Sequence, residues 1–178
     1  RGNKNWMRAR EGLLRSEVFG DDLDLLYPII ENGGSDSAAF DNVLELLVIN
    51  KVLTLPQAIM LMVPEAWQGS EKDPAKVAFY QWAACLMEPW DGPALFTFCD
   101  GRYCGANLDR NGLRPCRWVT TNDDIMVCAS EVGTVAIPPE TITAKGRLRP
   151  GRMLLVDTVE GRIVDDRELK SSTAHLAD

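Results

Sequence analysis

Residues 94–108 read Ala94-Leu95-Phe96-Thr97-Phe98-Cys99-Asp100-Gly101-Arg102-Tyr103-Cys104-Gly105-Ala106-Asn107-Leu108, and this run decides the fold. Two β-favouring stretches flank an Asp-Gly pair, which predicts an antiparallel hairpin closed by a type I′ turn. The same pattern recurs downstream. Residues 116–120 and 125–129 predict a second hairpin across Thr121-Asn122-Asp123-Asp124. Residues 153–157 and 162–164 predict a third, turning near Glu160-Gly161.

Upstream of Pro93 the period changes from two to that of a helix. Residues 5–16 place Trp6, Met7, Leu13 and Leu14 among charges, and Gly20 ends that pattern. Asp21-Asp22 are suited to open the next helical segment, because negative charge is favoured at a helix N-terminus. Residues 36–49 place Phe40, Val43, Leu44, Leu47 and Val48 at helical spacing. Thr54-Leu55-Pro56-Gln57 is a capping-box signal opening an apolar helix to about Met62. Pro74 opens another through Val77, Tyr80, Trp82 and Leu86. Helices followed by antiparallel strands predict an α+β layered domain.

Composition restricts the function classes. The chain has 178 residues, 46% apolar and 25% charged, which is ordinary for a globular domain with a sizeable core. Its net charge of −7 argues against nucleic acid as a partner, since phosphate binding needs a basic footprint. The longest apolar stretches, residues 43–49 and 58–63, are too short to span a membrane. Residue 1 is Arg, and no apolar leader follows it, so the chain is expected to begin inside a longer protein. Five cysteines stand at positions 85, 99, 104, 116 and 128, with no CxxC spacing. They predict neither a disulfide framework nor a zinc site, but small apolar side chains in a reducing compartment.

Three stretches could carry chemistry. In Asn32-Gly33-Gly34-Ser35-Asp36-Ser37 the glycines let the backbone approach a ligand, and Asp36 begins a helix where backbone N–H groups are free. Its carboxylate could receive a ligand ammonium group. Residue preference alone favours the simpler role for Ser35 or Asp36, a helix cap. Residues 108–115 (LDRNGLRP) form a turn whose Asp109, Arg110 and Arg114 could pair across it. Residues 145–152 hold four positive charges, Lys145, Arg147, Arg149 and Arg152, and read as a solvated connector between strands. The single histidine, His175, lies in a polar stretch, which disfavours a His-dependent triad. Trp67, Trp82 and Trp90 read as packing residues, and Gly101 and Gly105 as turn and strand glycines. No strand–GxGxxG–helix order marks a dinucleotide site.

Ordered strings along the chain resemble the glutamate synthase family, in its glutaminase domain. They are residues 1–11 (RGNKNWMRARE), 32–41 (NGGSDSAAFD), 62–67 (MVPEAW), 90–94 (WDGPA), 100–101 (DG), 108–115 (LDRNGLRP), 129–133 (ASEVG) and 145–151 (KGRLRPG). The resemblance implies a class II glutamine amidotransferase of the N-terminal-nucleophile hydrolase type, with a four-layer αββα sandwich of antiparallel sheets. Residues 1–170 would be the C-terminal portion of that domain. After Lys170 the similarity stops, and residues 171–178 read as a polar, frayed tail. A phosphoribosyl-pyrophosphate amidotransferase shares a similar Asp loop and Arg-Pro turn. It is the alternative within the class, and a non-catalytic interaction module is the alternative outside it.

The resemblance also implies the chemistry. An N-terminal cysteine attacks the glutamine amide, its own α-amino group acting as base, and an Asn-Gly string supplies the oxyanion hole. Both lie upstream of Arg1 in the family pattern, so no catalytic residue is expected in this chain, and no internal cysteine should be promoted. Asp36 matches the aspartate that receives the glutamine α-ammonium, with Gly34 and Ser35 beside it. The implied partners are glutamine and a flavin-binding synthase domain, without nucleic acid or membrane. No metal or cofactor is expected in this chain, whereas FMN and an iron–sulfur cluster are expected in the parent enzyme. The expected compartment is the cytoplasm, with a plastid as the alternative.

Overall fold

A computed structural model describes residues 4–13, 16–49, 51, 53–69 and 73–174. His175 lies outside them. The first half is helical and the second is built of strands. Helices α1 (Lys4–Arg10), α2 (Asp36–Ile49), α3 (Leu55–Met62) and α4 (Pro74–Leu86) precede strands β1 (Leu95–Cys99), β2 (Tyr103–Leu108), β3 (Arg117–Thr121), β4 (Met126–Ala129), β5 (Ile142–Arg147), β6 (Met153–Asp157) and β7 (Arg162–Val164). Helix α5 (Asp166–Ala174) follows. The expected 5–16 helix is α1 continued by a 3₁₀ turn over Glu11–Leu13, and the segment opened by Asp21-Asp22 is a 3₁₀ helix over Gly20–Leu26.

Local chemistry explains the helix starts. Gln57 Oε1 accepts the Thr54 N–H at 2.8 Å, which completes the capping box of α3. Asp73 caps α4 by accepting the Ala75 N–H at 3.0 Å, and Pro74 takes the first helical position. Seven of the eight residues of α3 are buried, as befits a helix apolar all round. It packs against α2, α4 and β2. The buried face of α4 is Phe79, Tyr80 and Ala83, not the set containing Trp82 and Leu86, which are 45% and 54% exposed.

The strands form two antiparallel sheets, β1-β2-β6-β7 and β4-β3-β5. All three expected hairpins are present. The first turn differs in type: Asp100 N–H donates to the Tyr103 carbonyl at 3.1 Å, leaving Gly101-Arg102 as the loop. Only Gly101 has a positive φ, 95°, the pattern of a type II′ turn, which wants glycine at its first central position. Asp100 Oδ1 instead receives the Arg102 and Tyr103 N–H groups at 3.0 and 2.7 Å.

The main core joins the helices to one face of the four-stranded sheet, through Phe40, Ile59, Tyr80, Met153 and Leu155. A second, smaller cluster of Ala106, Leu108 and Cys116 draws on Leu95, Leu154 and Cys128, so it takes residues from both sheets. The chain end also differs from the sequence expectation. Helix α5 runs past Ser171 to Ala174, with Leu169, Lys170, Thr173 and Ala174 buried, so residues 171–174 are not frayed.

Candidate functional site

The first turn of α2 forms one wall of a cleft of about 660 Å³, within the range of ligand pockets. Ser35, Asp36 and Ser37 meet the segment from Gly92 to Phe96 there, and Arg114 also lines it. The two roles left open for the acidic loop separate between neighbours. Ser35 Oγ accepts the Ala38 N–H at 3.2 Å, and the Ser35 carbonyl accepts the first helical bond from Ala39 at 3.0 Å. Ser35 is therefore the cap. Asp36 is the first helical residue, half-buried, and its carboxylate has no partner among the described residues. Gly34 sits directly before this pair; a Cβ there would come within 3.1 Å of Ala38 Cβ, so the loop hugs the helix it opens.

The loop is held from behind. Asn32 Oδ1 accepts from Arg8, Asn42 Oδ1 accepts the Glu31 N–H at 3.1 Å, and Glu11 Oε1 accepts the Ile30 N–H at 2.6 Å. The floor of the cleft is aromatic. Phe40 stacks on Phe96 at 4.4 Å, and Trp90 meets both rings edge-on at 5.7 and 5.0 Å. Trp90 also donates its indole N–H to the Gly92 carbonyl at 2.9 Å, fixing the start of the facing wall. Trp67 stacks on Tyr80 at 5.9 Å and Trp82 lies against Phe79 at 5.7 Å, so all three expected packing tryptophans make ring contacts, Trp82 with 45% of its surface exposed.

The LDRNGLRP turn supports the other wall, though not by ion pairs across itself. Asp109, 2% exposed, accepts the Ala94 N–H at Oδ1 and the Asn111 N–H at Oδ2, both at 3.0 Å. Its carbonyl accepts the Gly112 and Gly151 N–H groups at 3.0 and 2.9 Å. Gly112 needs its lack of a side chain: φ is 59° and a Cβ would meet Pro150 at 2.6 Å. Arg110 turns away to Asp91 at 3.6 Å. Arg114 reaches the cleft exposed. Sequence reasoning flagged this string as a turn but missed that it shares a cleft with Asp36, because the two lie more than seventy positions apart.

The basic run does not join the cleft. Lys145 and Arg147 belong to β5, and Arg152 pairs with Asp166 at 2.6 Å. A second cavity of about 270 Å³ lies beside Glu65, Trp67 and Tyr80. Burial, then the neighbouring Glu65 carboxylate, push the Tyr80 hydroxyl above its ordinary range, so it stays a neutral donor to Glu65 Oε1 at 3.3 Å. Among the described residues no group of three His, Cys, Asp or Glu side chains is arranged for a metal ion, and no helix is long and apolar enough to cross a membrane.

Comparison with known proteins places the chain in a family. The model of the class-II glutamine amidotransferases matches residues 1–178, and the chain belongs to that family. It is 69% identical to a glutamate synthase [NADH] of Schizosaccharomyces pombe and 62% identical to that of Saccharomyces cerevisiae, in each case over the whole chain. It is 47% identical, over 98% of its length, to the large chain of a glutamate synthase [NADPH] of Bacillus subtilis. The chain spans only 8% of the two yeast relatives and 11% of the bacterial one.

Proposed function

We propose that this chain forms the glutamine-holding half of the glutaminase domain of a glutamate synthase, and that Asp36 receives the α-ammonium group of glutamine. The observation that carries the reading is the half-buried Asp36 carboxylate in a cleft, without a partner among the described residues and relieved of capping by Ser35. An ammonium group supplies the opposite charge and hydrogen-bond donors that this carboxylate lacks. Gly34 and Ser35 keep the loop close to the helix and set the direction of Asp36. The parent enzyme hydrolyses glutamine to glutamate and ammonia, and the ammonia aminates 2-oxoglutarate at a flavin site. The attacking cysteine and the oxyanion hole belong to a segment that precedes these residues in the family pattern.

FMN and the iron–sulfur cluster belong, on this reading, to the synthase region, and the enzyme to the cytoplasm or a plastid. The two antiparallel sheets form part of the inner layers of a four-layer αββα sandwich, a reading supported by the apolar cluster drawn from both of them. The identity to glutamate synthases favours this reading over other amidotransferases.

The test is Asp36→Ala in the complete enzyme, with Ser35→Ala as the control. Truncating one partner of a desolvated charge pair typically costs about 2–5 kcal/mol. Asp36→Ala should thus raise the glutamine KM at least about tenfold, the factor that 1.4 kcal/mol represents. Ammonia-dependent glutamate formation should hold. Ser35→Ala should lower stability by about 1 kcal/mol, as cap loss does, and move both activities together. An unchanged ratio of glutamine-dependent to ammonia-dependent rate in Asp36→Ala would refute the binding role.

A further inference from the structure

The β1–β2 hairpin holds a pair of thiols for which glutamine hydrolysis has no use. Cys99 and Cys104 are register partners across its tip, with Sγ atoms 2.9 Å apart. The next rung, Asp100 opposite Tyr103, is hydrogen bonded, so the cysteine rung is of the non-hydrogen-bonded kind. At such rungs Cα atoms stand about 4.5 Å apart and side chains come closest. A disulfide requires roughly 4.4–6.8 Å between Cα atoms, so this rung accepts one without moving the backbone. Cys99 is exposed and Cys104 half-buried, so a small reagent reaches the first sulfur.

A second pair shows what this rung has in particular. Cys116 and Cys128 also bring their sulfurs to 3.0 Å. Cys128, however, is the register partner of Trp118, which places Cys116 on the diagonal. Diagonal neighbours stand about 7–8 Å apart at Cα, beyond easy bridging. Cys116 is also buried. Register and access, rather than sulfur distance, separate the two pairs.

We propose that Cys99 and Cys104 are a redox-active dithiol, closed to a reversible cross-strand disulfide by low-molecular-weight disulfides of the oxidised glutathione class. The two sulfurs have different parts. The Cys104 thiol and the Gly101 N–H both donate to Cys99 Sγ and favour its thiolate against the nearby Asp100, while Cys104 is held protonated. The Cys99 thiolate attacks one sulfur of oxidised glutathione, forming a mixed disulfide and releasing one glutathione thiolate. That thiolate takes up a proton. Cys104 then gives up its proton, attacks Cys99 Sγ and displaces the second glutathione thiolate, which is protonated in turn. Two protein thiols are oxidised, one glutathione disulfide is reduced to two thiols, and every proton is accounted for.

The experiment equilibrates the complete protein that carries this chain in glutathione buffers of stepped ratio. Acid quenching, alkylation of free thiols, digestion and mass mapping follow. The expected result is a peptide joining Cys99 to Cys104 that has lost two hydrogens and resists alkylation. It should appear in one two-electron transition and be reversed by dithiothreitol. Cys104→Ser, which removes the resolving thiol, should trap glutathione on Cys99. Free alkylation of both thiols in oxidised glutathione alone would overturn the proposal. So would a Cys116–Cys128 bond with Cys99 and Cys104 free, or a Cys104→Ser protein carrying no glutathione at Cys99.

Discussion

Ser35 and Asp36 are adjacent, polar and both acceptable as helix caps, and the sequence alone leaves the choice between them open. What separates them is which oxygen reaches the Ala38 N–H, a matter of φ and ψ in the glycine loop that composition does not carry. Asp157 is another residue whose role the sequence conceals. It reads as one more charge at a strand end, yet it is buried and takes three hydrogen bonds from the exposed Arg102 guanidinium at 3.2, 3.1 and 2.6 Å. It also caps the next turn through the Val159 and Glu160 N–H groups at 3.0 and 3.1 Å. Arg102 first, and then those N–H groups, hold its carboxyl well below its ordinary value of 3.8, at about 2. A depressed carboxyl contributes stability that is complete above its unfolded value and is lost as pH falls through its folded value. The Asp157 contribution should therefore fade between about pH 4 and pH 2. Asp157→Asn should be less stable than the parent at pH 6, and the difference should shrink as pH falls through that window. Urea unfolding of both proteins across that range measures it, and parallel curves would show that Arg102 and Asp157 are not coupled.

At the level of elements the strands and helices were readable because their periods are strong, whereas the turns were legible in place but not in type. The Asp-Gly of the first hairpin suggested a I′ loop, but Asp100 prefers to bind two backbone N–H groups with its own side chain. That shifts the loop by one residue to Gly101-Arg102. Asp109 repeats the lesson. Charges flanking Asn-Gly suggested ion pairs, yet the carboxylate is buried and serves backbone donors from two segments. Asp109→Ala takes away the partner of the half-buried Ala94 N–H, and a buried unsatisfied group costs about 1–3 kcal/mol. The variant should lose at least that much in urea unfolding. Because Ala94 lies in the cleft wall, its glutamine KM should also rise relative to its ammonia-dependent rate. A variant that loses stability with the two rates still in proportion would confine Asp109 to the fold.

The whole molecule depends on a contact that no local pattern announces. The residues after Lys170 read as a polar tail, but the family match runs on through residue 178 and Lys170 is 2% exposed. Its ammonium group donates to Glu65 Oε2 at 3.0 Å and the Gly151 carbonyl at 2.8 Å, and pairs with Asp166 Oδ1 at 2.9 Å. Asp166 in turn accepts the Met153 N–H at 2.9 Å and pairs with Arg152. One lysine thus ties the loop after α3 to the connector between the two sheets and to α5, segments separated by as many as 105 positions. Such a buried pair adds little over apolar packing while intact, but removing one partner leaves charge behind and costs about 3–5 kcal/mol. That is a large share of the roughly 5–15 kcal/mol by which domains are stable. Lys170→Met should therefore unfold at much lower urea, with tryptophan fluorescence and far-UV circular dichroism changing together. Glu65 would keep Arg152 at 3.6 Å and Lys76 at 4.0 Å but lose its shortest cationic partner, so adding Glu65→Gln should recover part of the loss. A loss below about 1 kcal/mol, the range of exposed ion pairs, would mean that α5 is held by its apolar face alone.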